Sequence, residues 1–368
     1  MCSVVISGFY GFDNAGDEAI LQSMISELRK ANSDISIVVL SADPDKTVRD
    51  HKVQAVNRSN FGQVYKAISS CDILISGGGS LLQDATSVFS MWYYCGVIIL
   101  AFILRKPVFA FAQGIGPIVN KLNIALLKYI MKRVRCVSVR DRRSQIELRR
   151  LGIMRKVSCT IDPAFLIDVT SKEESLKILQ KESGTCELER PRVGFSIRRW
   201  KGETDVTGII AEVADRVYRE MGADVVFFPL HYWKDIELAE EIAGRMKEKA
   251  IIIRKSYTSS DLIGLYGLMD INVCVRFHGL VFSIMNCVPT VAISYDPKID
   301  SLVDALDLGK SLLRYENLSS DTLFNAIKSS WETRSITSKL MEVKNEEFKF
   351  LAREGIKEVT ELIKNIQK

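Results

Sequence analysis

Residues 3–28 read SVVISGFYGFDNAGDEAILQSMISEL: a short β-branched run, a glycine-rich loop, then a helical pattern. The run at 3–7 is apolar at its centre, as in a parallel strand covered on both faces. Over 17–30, Ile20, Leu21, Met24, Ile25 and Leu28 form a stripe with the helical period. One strand–loop–helix unit decides little, but the pattern repeats. Runs at 35–40, 72–76, 107–112 and 135–139 carry the strand signature. Helical patterns cover 61–70, 85–104, 121–133 and 142–151. This alternation predicts a doubly wound parallel sheet.

Residues 169–191 (VTSKEESLKILQKESGTCELERP) break the rhythm with charge and a closing proline. It then restarts, with strands predicted at 192–197, 224–229, 250–253, 270–275 and 289–294, and helices at 206–221, 234–249, 259–269 and 279–287. The last stretch, 335–368, spaces Leu340, Val343, Phe350, Leu351, Val359, Leu362 and Ile363 among charges as one or two amphipathic helices. The expected organisation is an α/β chain of two facing Rossmann-like domains, 1–168 and 192–334, joined by a linker at 169–191 and closed by a helical segment.

The 368 residues are 47% hydrophobic and 26% charged, which excludes disorder and collagen-like repeats. A net charge of +5 is too mild to require nucleic acid as a partner. The eight cysteines contain no C-x-x-C pair, and most lie in apolar runs. They read as small buried hydrophobes in a reducing compartment rather than as a disulfide framework. With no basic region ahead of Val4-Val5-Ile6, no export signal is expected and a cytoplasmic location is. Residues 88–104 are 17 mostly apolar positions, short of the roughly 20 of a bilayer span. They read as a helix buried against the sheet, with a half-embedded surface as the alternative.

In open α/β sheets ligands gather at the carboxyl ends of strands. The first strand runs into Gly8-Phe-Tyr-Gly11-Phe-Asp13-Asn14-Ala-Gly16-Asp17-Glu18, where the acids oppose a phosphate but suit a sugar hydroxyl. Asp13 or Asp17 is the candidate there, with Gly8 and Asn14 shaping the loop. Gly77-Gly78-Gly79-Ser80 with Gln83-Asp84, and Gln113-Gly114-Ile-Gly116-Pro117, are two further loops; Gly78, Gly79, Gln83 and Gln113 are their candidate contacts. Arg140 sits at the next strand-to-helix turn. From Lys128 to Lys156 eleven Lys/Arg face two acids; most read as solvated helix face, and the excess suits a diphosphate or an anionic membrane surface. In the second half, Arg198-Arg199-Trp200 ends one strand and Arg276-Phe277-His278-Gly279 opens a helix. His278 is one of three histidines, and with Arg276 it predicts a carboxylate or phosphate pocket. Tyr295-Asp296-Pro297-Lys298 adds a cation. Gly309-Lys310-Ser311 is the tail of a phosphate-binding loop without its head, since residue 304 is Asp. No hydrolase elbow or paired Cys/His spacing is present, and no metal is expected.

GFYGFDNAGDEAIL, ILISGGGSLLQD, AQGIGP, SVRDRRS, IDPAF, RFHGLVFSIMNCVP and YDPK together resemble, in order, the signature of polysaccharide pyruvyltransferases, most closely the bacterial branch acting on secondary cell-wall polymers. The likeness spans about residues 1–300; Phe277 and Gly279 stand where the family usually has Leu and Ala. It implies a GT-B-like fold with a cleft between two domains. It implies phosphoenolpyruvate as donor, and as acceptor a lipid-diphosphate-linked saccharide, in the cell-wall branch β-linked N-acetylmannosamine. The product is then a 4,6-pyruvate ketal, the group that anchors S-layer proteins. No cofactor is implied, since phosphoenolpyruvate is a substrate. Mapped onto this chain, Arg140, Arg276 and His278 are the donor-site residues. Phe277 stands beside them, Lys298 is a further cation, and Asp13 or Asp17 orients or deprotonates the acceptor. Peripheral contact with the inner face of the membrane is a further expectation, and oligomeric state is left open. Two other readings suit the same loops and cations: a nucleotide-sugar glycosyltransferase, and a non-catalytic glycan- or lipid-diphosphate-binding protein.

Overall fold

A computed structural model describes residues 2–84, 88–199, 206–306 and 311–366. Ala85, Trp200 and the Gly309-Lys310 pair lie outside the described residues. The chain divides into two units, Met1–Ile167 with Phe348–Lys368, and Asp168–Glu347.

The first unit opens with β1 (Ser3–Ser7), α1 (Ala15–Ala31), β2 (Ser36–Ser41), α2 (Pro44–His51), β3 (Gln54–Asn57) and α3 (Phe61–Ser70). It continues with β4 (Ile73–Ser76), β5 (Gly79–Leu82), α4 (Val88–Ile103), β6 (Val108–Ile115), α5 (Lys121–Met131), β7 (Cys136–Val139), α6 (Arg142–Arg150) and β8 (Ser158–Cys159). The sheet order is β3-β2-β1-β4-β6-β7-β8, with β5 paired to β6. Val5 pairs with Val38 on one side and Leu74 on the other, all parallel. Val5, Leu74, Ala110 and Val137 of this sheet join Ile68, Ile98, Leu127 and Ile130 of the covering helices in one core. Burying each large side chain contributes about 1.5–3 kcal/mol. Side-chain oxygens of Asn14, Asn60, Asn120 and Asp141 accept backbone N–H groups at the starts of α1, α3, α5 and α6.

The second unit holds α7 (Lys172–Ser183), β9 (Arg192–Ser196), α8 (Val206–Glu220), β10 (Asp224–Phe227), α9 (Tyr232–Arg245) and β11 (Ala250–Ile252). Then come α10 (Ser259–Tyr266), β12 (Ile271–Cys274), α11 (Phe277–Met285), β13 (Thr290–Ser294), α12 (Pro297–Ala305) and β14 (Leu312–Arg314). The order β11-β10-β9-β12-β13-β14 is the doubly wound arrangement in which the chain reverses direction beside the first strand. A 47-residue helix, α13 (Ser320–Ile366), ends the chain; its first part belongs to the second unit and Phe348 onward to the first.

The ten predicted strands all appear, within a few residues at their ends. The expected linker holds α7, whose buried residues are only Ser175 and Leu179, too few to give a stripe. The closing helix starts at Ser320 rather than 335, because Leu323, Phe324 and Ile327 pack into the second core. β3, β5, β8, β14, α2 and α12 went unpredicted. β3 and β14 are half-exposed strands at the ends of their paths, and α2 buries only Thr47. Residues 88–103 form a helix whose inner face, Met91, Tyr94, Cys95, Ile98 and Ala101, is buried. Among the described residues, no helix is long and apolar enough to cross a membrane.

Candidate active site

Each sheet reverses its winding at one point, between β1 and β4 in the first unit and between β9 and β12 in the second. Crevices for ligands form at the carboxyl ends of those strands.

In the first unit that place is occupied by the two glycine loops. The glycines answer to internal packing. A Cβ on Gly8 would lie 2.4 Å from the buried Tyr10 ring, one on Gly77 2.6 Å from its hydroxyl, and one on Gly78 2.8 Å from Ile20. Gly79 has φ +89°, and a Cβ there would stand 3.0 Å from Asp17 Oδ1. The Asp17 carboxylate therefore borders the loop. Burial first, and then the charges of Asp17 and Glu18, push the Tyr10 phenol well above its ordinary value, so it stays protonated. Gln113 is fully buried and donates to the carbonyls of Ser76 and Gly77 at 2.9 and 3.0 Å, holding the loop from beneath. Gln83 is half-buried beside Asp84, whose carboxylate accepts the N–H groups of Val119 and Asn120 and the amide of Asn123, each at 3.0 Å.

Asp13 adopts φ 55° and accepts from Lys46 Nζ at 2.6 Å. Burial works against the Lys46 ammonium, but the hydrogen bond and charge of Asp13 outweigh it and raise the amine above its usual value. Asn14 accepts from Gly16 N at 3.2 Å and so caps α1. Glu18 accepts from Gly11 N at 2.8 Å and meets His51 Nε2 at 2.9 Å. Of the three acids at this loop, Asp13 pairs with Lys46, Glu18 meets Gly11 and His51, and Asp17 borders the glycines.

Arg140 is 3% exposed. Its Nη1 donates to Asp162 at 2.9 Å and its Nη2 to Ser80 Oγ at 2.8 Å. Expected as a donor contact, it has the geometry of a positioning group that ties the glycine loop to the turn after β8. Other cations of the 128–156 segment are also engaged: Arg155 donates to the carbonyls of Met131, Val134 and Arg135, and Arg150 chelates Glu147.

In the second unit the ends of β9, β12 and β13 lie side by side, about 4.8 Å between neighbours. Arg276 occupies the N-cap position of α11, and its own side chain makes no capping hydrogen bond there. Its guanidinium pairs with Asp235 of α9, itself 3% exposed, which also accepts the His231 N–H at 2.8 Å. The Arg276 Nε is buried and makes no hydrogen bond. His278 follows on the first turn of α11, its ring edge-on to Phe277 with centroids 5.2 Å apart and tilted against Phe282 at 6.2 Å. A Cβ on Gly279 would meet Ser196 Oγ at 2.3 Å, so glycine at this position is matched to Ser196 at the end of β9. Tyr295 links two more cations: Arg198 Nη1 donates to its hydroxyl at 2.8 Å, and Lys298 Nζ lies 5.8 Å from its ring centre. Lys298 also contacts Asp296 at 3.1 Å. Asp235 and Tyr295 organise these cations. Sequence reasoning passed over Asp235, one acid among several on a charged helix.

The second unit thus presents arginines, a lysine and a histidine at strand ends and the start of α11. Arginine suits planar oxyanions, and helix N–H groups suit anions generally.

Two α/β units of this winding make up the GT-B fold. Solved structures show the same fold at low identity. UDP-GlcNAc 2-epimerase from Neisseria meningitidis, bound to UDP-GlcNAc, aligns at TM-score 0.66 and 14% identity, covering 98% of this chain and 100% of that one. The corresponding epimerase from Methanocaldococcus jannaschii, in complex with UDP-GlcNAc and UDP, gives 0.61 and 12%, covering 90% and 93%. The E. coli ADP-heptose LPS heptosyltransferase II gives 0.53 and 15%, covering 91% and 100%. The family model for polysaccharide pyruvyl transferases matches residues 14–297, and the chain belongs to that family of transferases.

Proposed function

We propose that the protein transfers the enolpyruvyl unit of phosphoenolpyruvate to a hexose of a lipid-diphosphate-linked cell-wall polysaccharide precursor. The acceptor is β-linked N-acetylmannosamine, and the product is the 4,6-pyruvate ketal through which S-layer proteins attach. The observation that carries the reading is the Arg276–His278 pair at the start of α11, within the segment matched to the family.

Phosphoenolpyruvate is a small donor with a carboxylate and a phosphate. Arg276, held by Asp235, supplies a fixed fork for one oxyanion. Arg198 and Lys298, at the ends of β9 and β13, supply further positive charge. Reaction begins when a proton reaches the methylene carbon, making C2 electrophilic. A sugar hydroxyl forms the first C–O bond to C2. The bond from C2 to the phosphate oxygen then breaks, its electron pair leaving with phosphate, and the oxocarbenium centre is closed by the second hydroxyl. The sugar loses two protons; the methyl carbon gains one and phosphate carries off the other. His278 contacts the phosphate and protonates it as it leaves, and a base takes the proton of the attacking hydroxyl. Each of these acid–base roles is worth roughly 10²–10⁴-fold. Arg140 keeps the glycine loop in place through Ser80 and Asp162.

Thermal stabilisation separates this reading from a nucleotide-sugar transferase on the same fold. Phosphoenolpyruvate raises the melting temperature and UDP does not; the opposite result overturns the donor. Phosphate release only when acceptor is present separates catalysis from mere binding.

A further inference from the structure

The outer faces of α4 and α5 carry a feature that the reaction does not use. Along α4, Trp92, Gly96, Ile99 and Ile103 fall at intervals of four, three and four residues; Ile99 is half-buried against the core and the other three are exposed. Trp92 is 51% exposed and Ile103 71%. Leu122 on α5 is 73% exposed, and Val119, just before it, 78%. The two helices run together: Trp92 Nε1 donates to Asn123 Oδ1 at 2.8 Å near their starts. Near their ends, Ile99, Phe102 and Ile103 share an open groove of about 550 Å³ with Tyr129, rimmed by Arg105, Lys106 and Arg133.

The cations at the far end of this strip are Arg105, Lys106 and Arg133, and the acid at its near end, Asp84, is buried. Between Asp84 and Asp141 the sequence contains eight Lys/Arg and no acid. Arg133 lies over the Tyr129 ring, its guanidinium carbon 3.8 Å from the centre, a cation resting on an amphipathic aromatic. Exposed apolar residues flanked by Trp and Tyr and edged by cations match the layers of a bilayer surface, acyl boundary beneath anionic headgroups. A second copy of the same face would set cation against cation, which disfavours self-association.

We infer that the exposed faces of α4 and α5 dock the protein onto an anionic phospholipid bilayer, lying on it without crossing it. This surface stands apart from the phosphoenolpyruvate reading and survives its failure. It shares Tyr129 and Arg133 with the expected contact through 128–156 and leaves out Arg150 and Arg155, which are tied to the protein itself.

Flotation of the full chain with vesicles tests it. The protein floats with phosphatidylcholine vesicles containing about one-third phosphatidylglycerol and not with phosphatidylcholine alone, and the bound fraction falls as salt rises. Arg105→Glu/Lys106→Glu/Arg133→Glu weakens binding by about tenfold or more. Ile103→Ser/Leu122→Ser weakens it by about tenfold even at low salt. Lys172→Glu/Lys181→Glu/Lys339→Glu, the same charge change at exposed sites of the second unit, binds as wild type. All the substituted positions of the apolar pair and the control are exposed, so each variant should melt as wild type; any set that melts early is replaced by its single substitutions. Four results overturn the inference: no binding to anionic vesicles, equal loss in the control, full binding by the apolar pair, or a wild-type dimer that the apolar pair dissociates.

Discussion

Arg276 takes its orientation from Asp235, and the two are 41 residues apart in sequence. Burying both charges costs desolvation, and such a pair stabilises little net; what it secures is the direction of the guanidinium. Asp235→Asn should raise the KM for phosphoenolpyruvate about tenfold or more with a smaller change in kcat, and an unchanged KM would return Asp235 to a purely structural role. His278→Ala should lower phosphate release by roughly 10²–10⁴-fold with an unchanged melting temperature; near-normal turnover removes His278 from the chemistry. Burial also silences most thiols, raising Cys71 to about 11 and Cys95 and Cys274 to about 12. A thiol-titrating disulfide at pH ~8 should label exposed Cys186 and leave these three unreacted until the protein unfolds. Rapid labelling of Cys274 in the native state would contradict its burial. Arg276 and His278 were legible because an ionisable pair follows a continuous apolar run. Asp235 was not, because burial of one acid among Asp235, Glu237, Glu240 and Glu241 leaves no mark on the sequence.

At the scale of elements, the glycine loop after β4 was read as room for a ligand, and the packing adds Tyr10 as a second cause. Gly77→Ala should destabilise the first unit by about 1–3 kcal/mol. Tyr10→Phe removes the hydroxyl that the new methyl meets, so the double variant should lose less than the sum of the singles. Simple additivity in denaturant unfolding would refute that contact. Asp84 fixes the entry to α5. Burial raises its pKa, but hydrogen bonds from Asn123, Asn120 and Val119 outweigh this, and the folded value lies below the ordinary 3.8. Its contribution is therefore present above that value and lost as pH falls through the folded pKa. Asp84→Ala should cost about 1–3 kcal/mol at neutral pH, with the difference from wild type shrinking in acid. Central strands announce themselves in sequence because both faces are apolar. β3 (QAVN) and β14 (LLR) do not, being short and half-exposed.

For the whole molecule, the sequence places the restart of the βα rhythm near 192, but not the return of α13 to the first unit. Periodicity defines a helix's apolar face and is silent on which core receives it. Phe348, Ala352, Ile356 and Val359 are each at most 5% exposed; Phe348 meets Phe165 at 5.2 Å, and Thr160 donates to the Leu351 carbonyl at 2.8 Å. The central claim is the reaction, and mass analysis of its product tests it most directly. Incubated with phosphoenolpyruvate and a lipid-linked saccharide ending in β-N-acetylmannosamine, the protein should add one pyruvate ketal to the sugar and release one phosphate for each. A saccharide recovered unchanged, or one extended by a sugar from a nucleotide donor instead, would contradict the account.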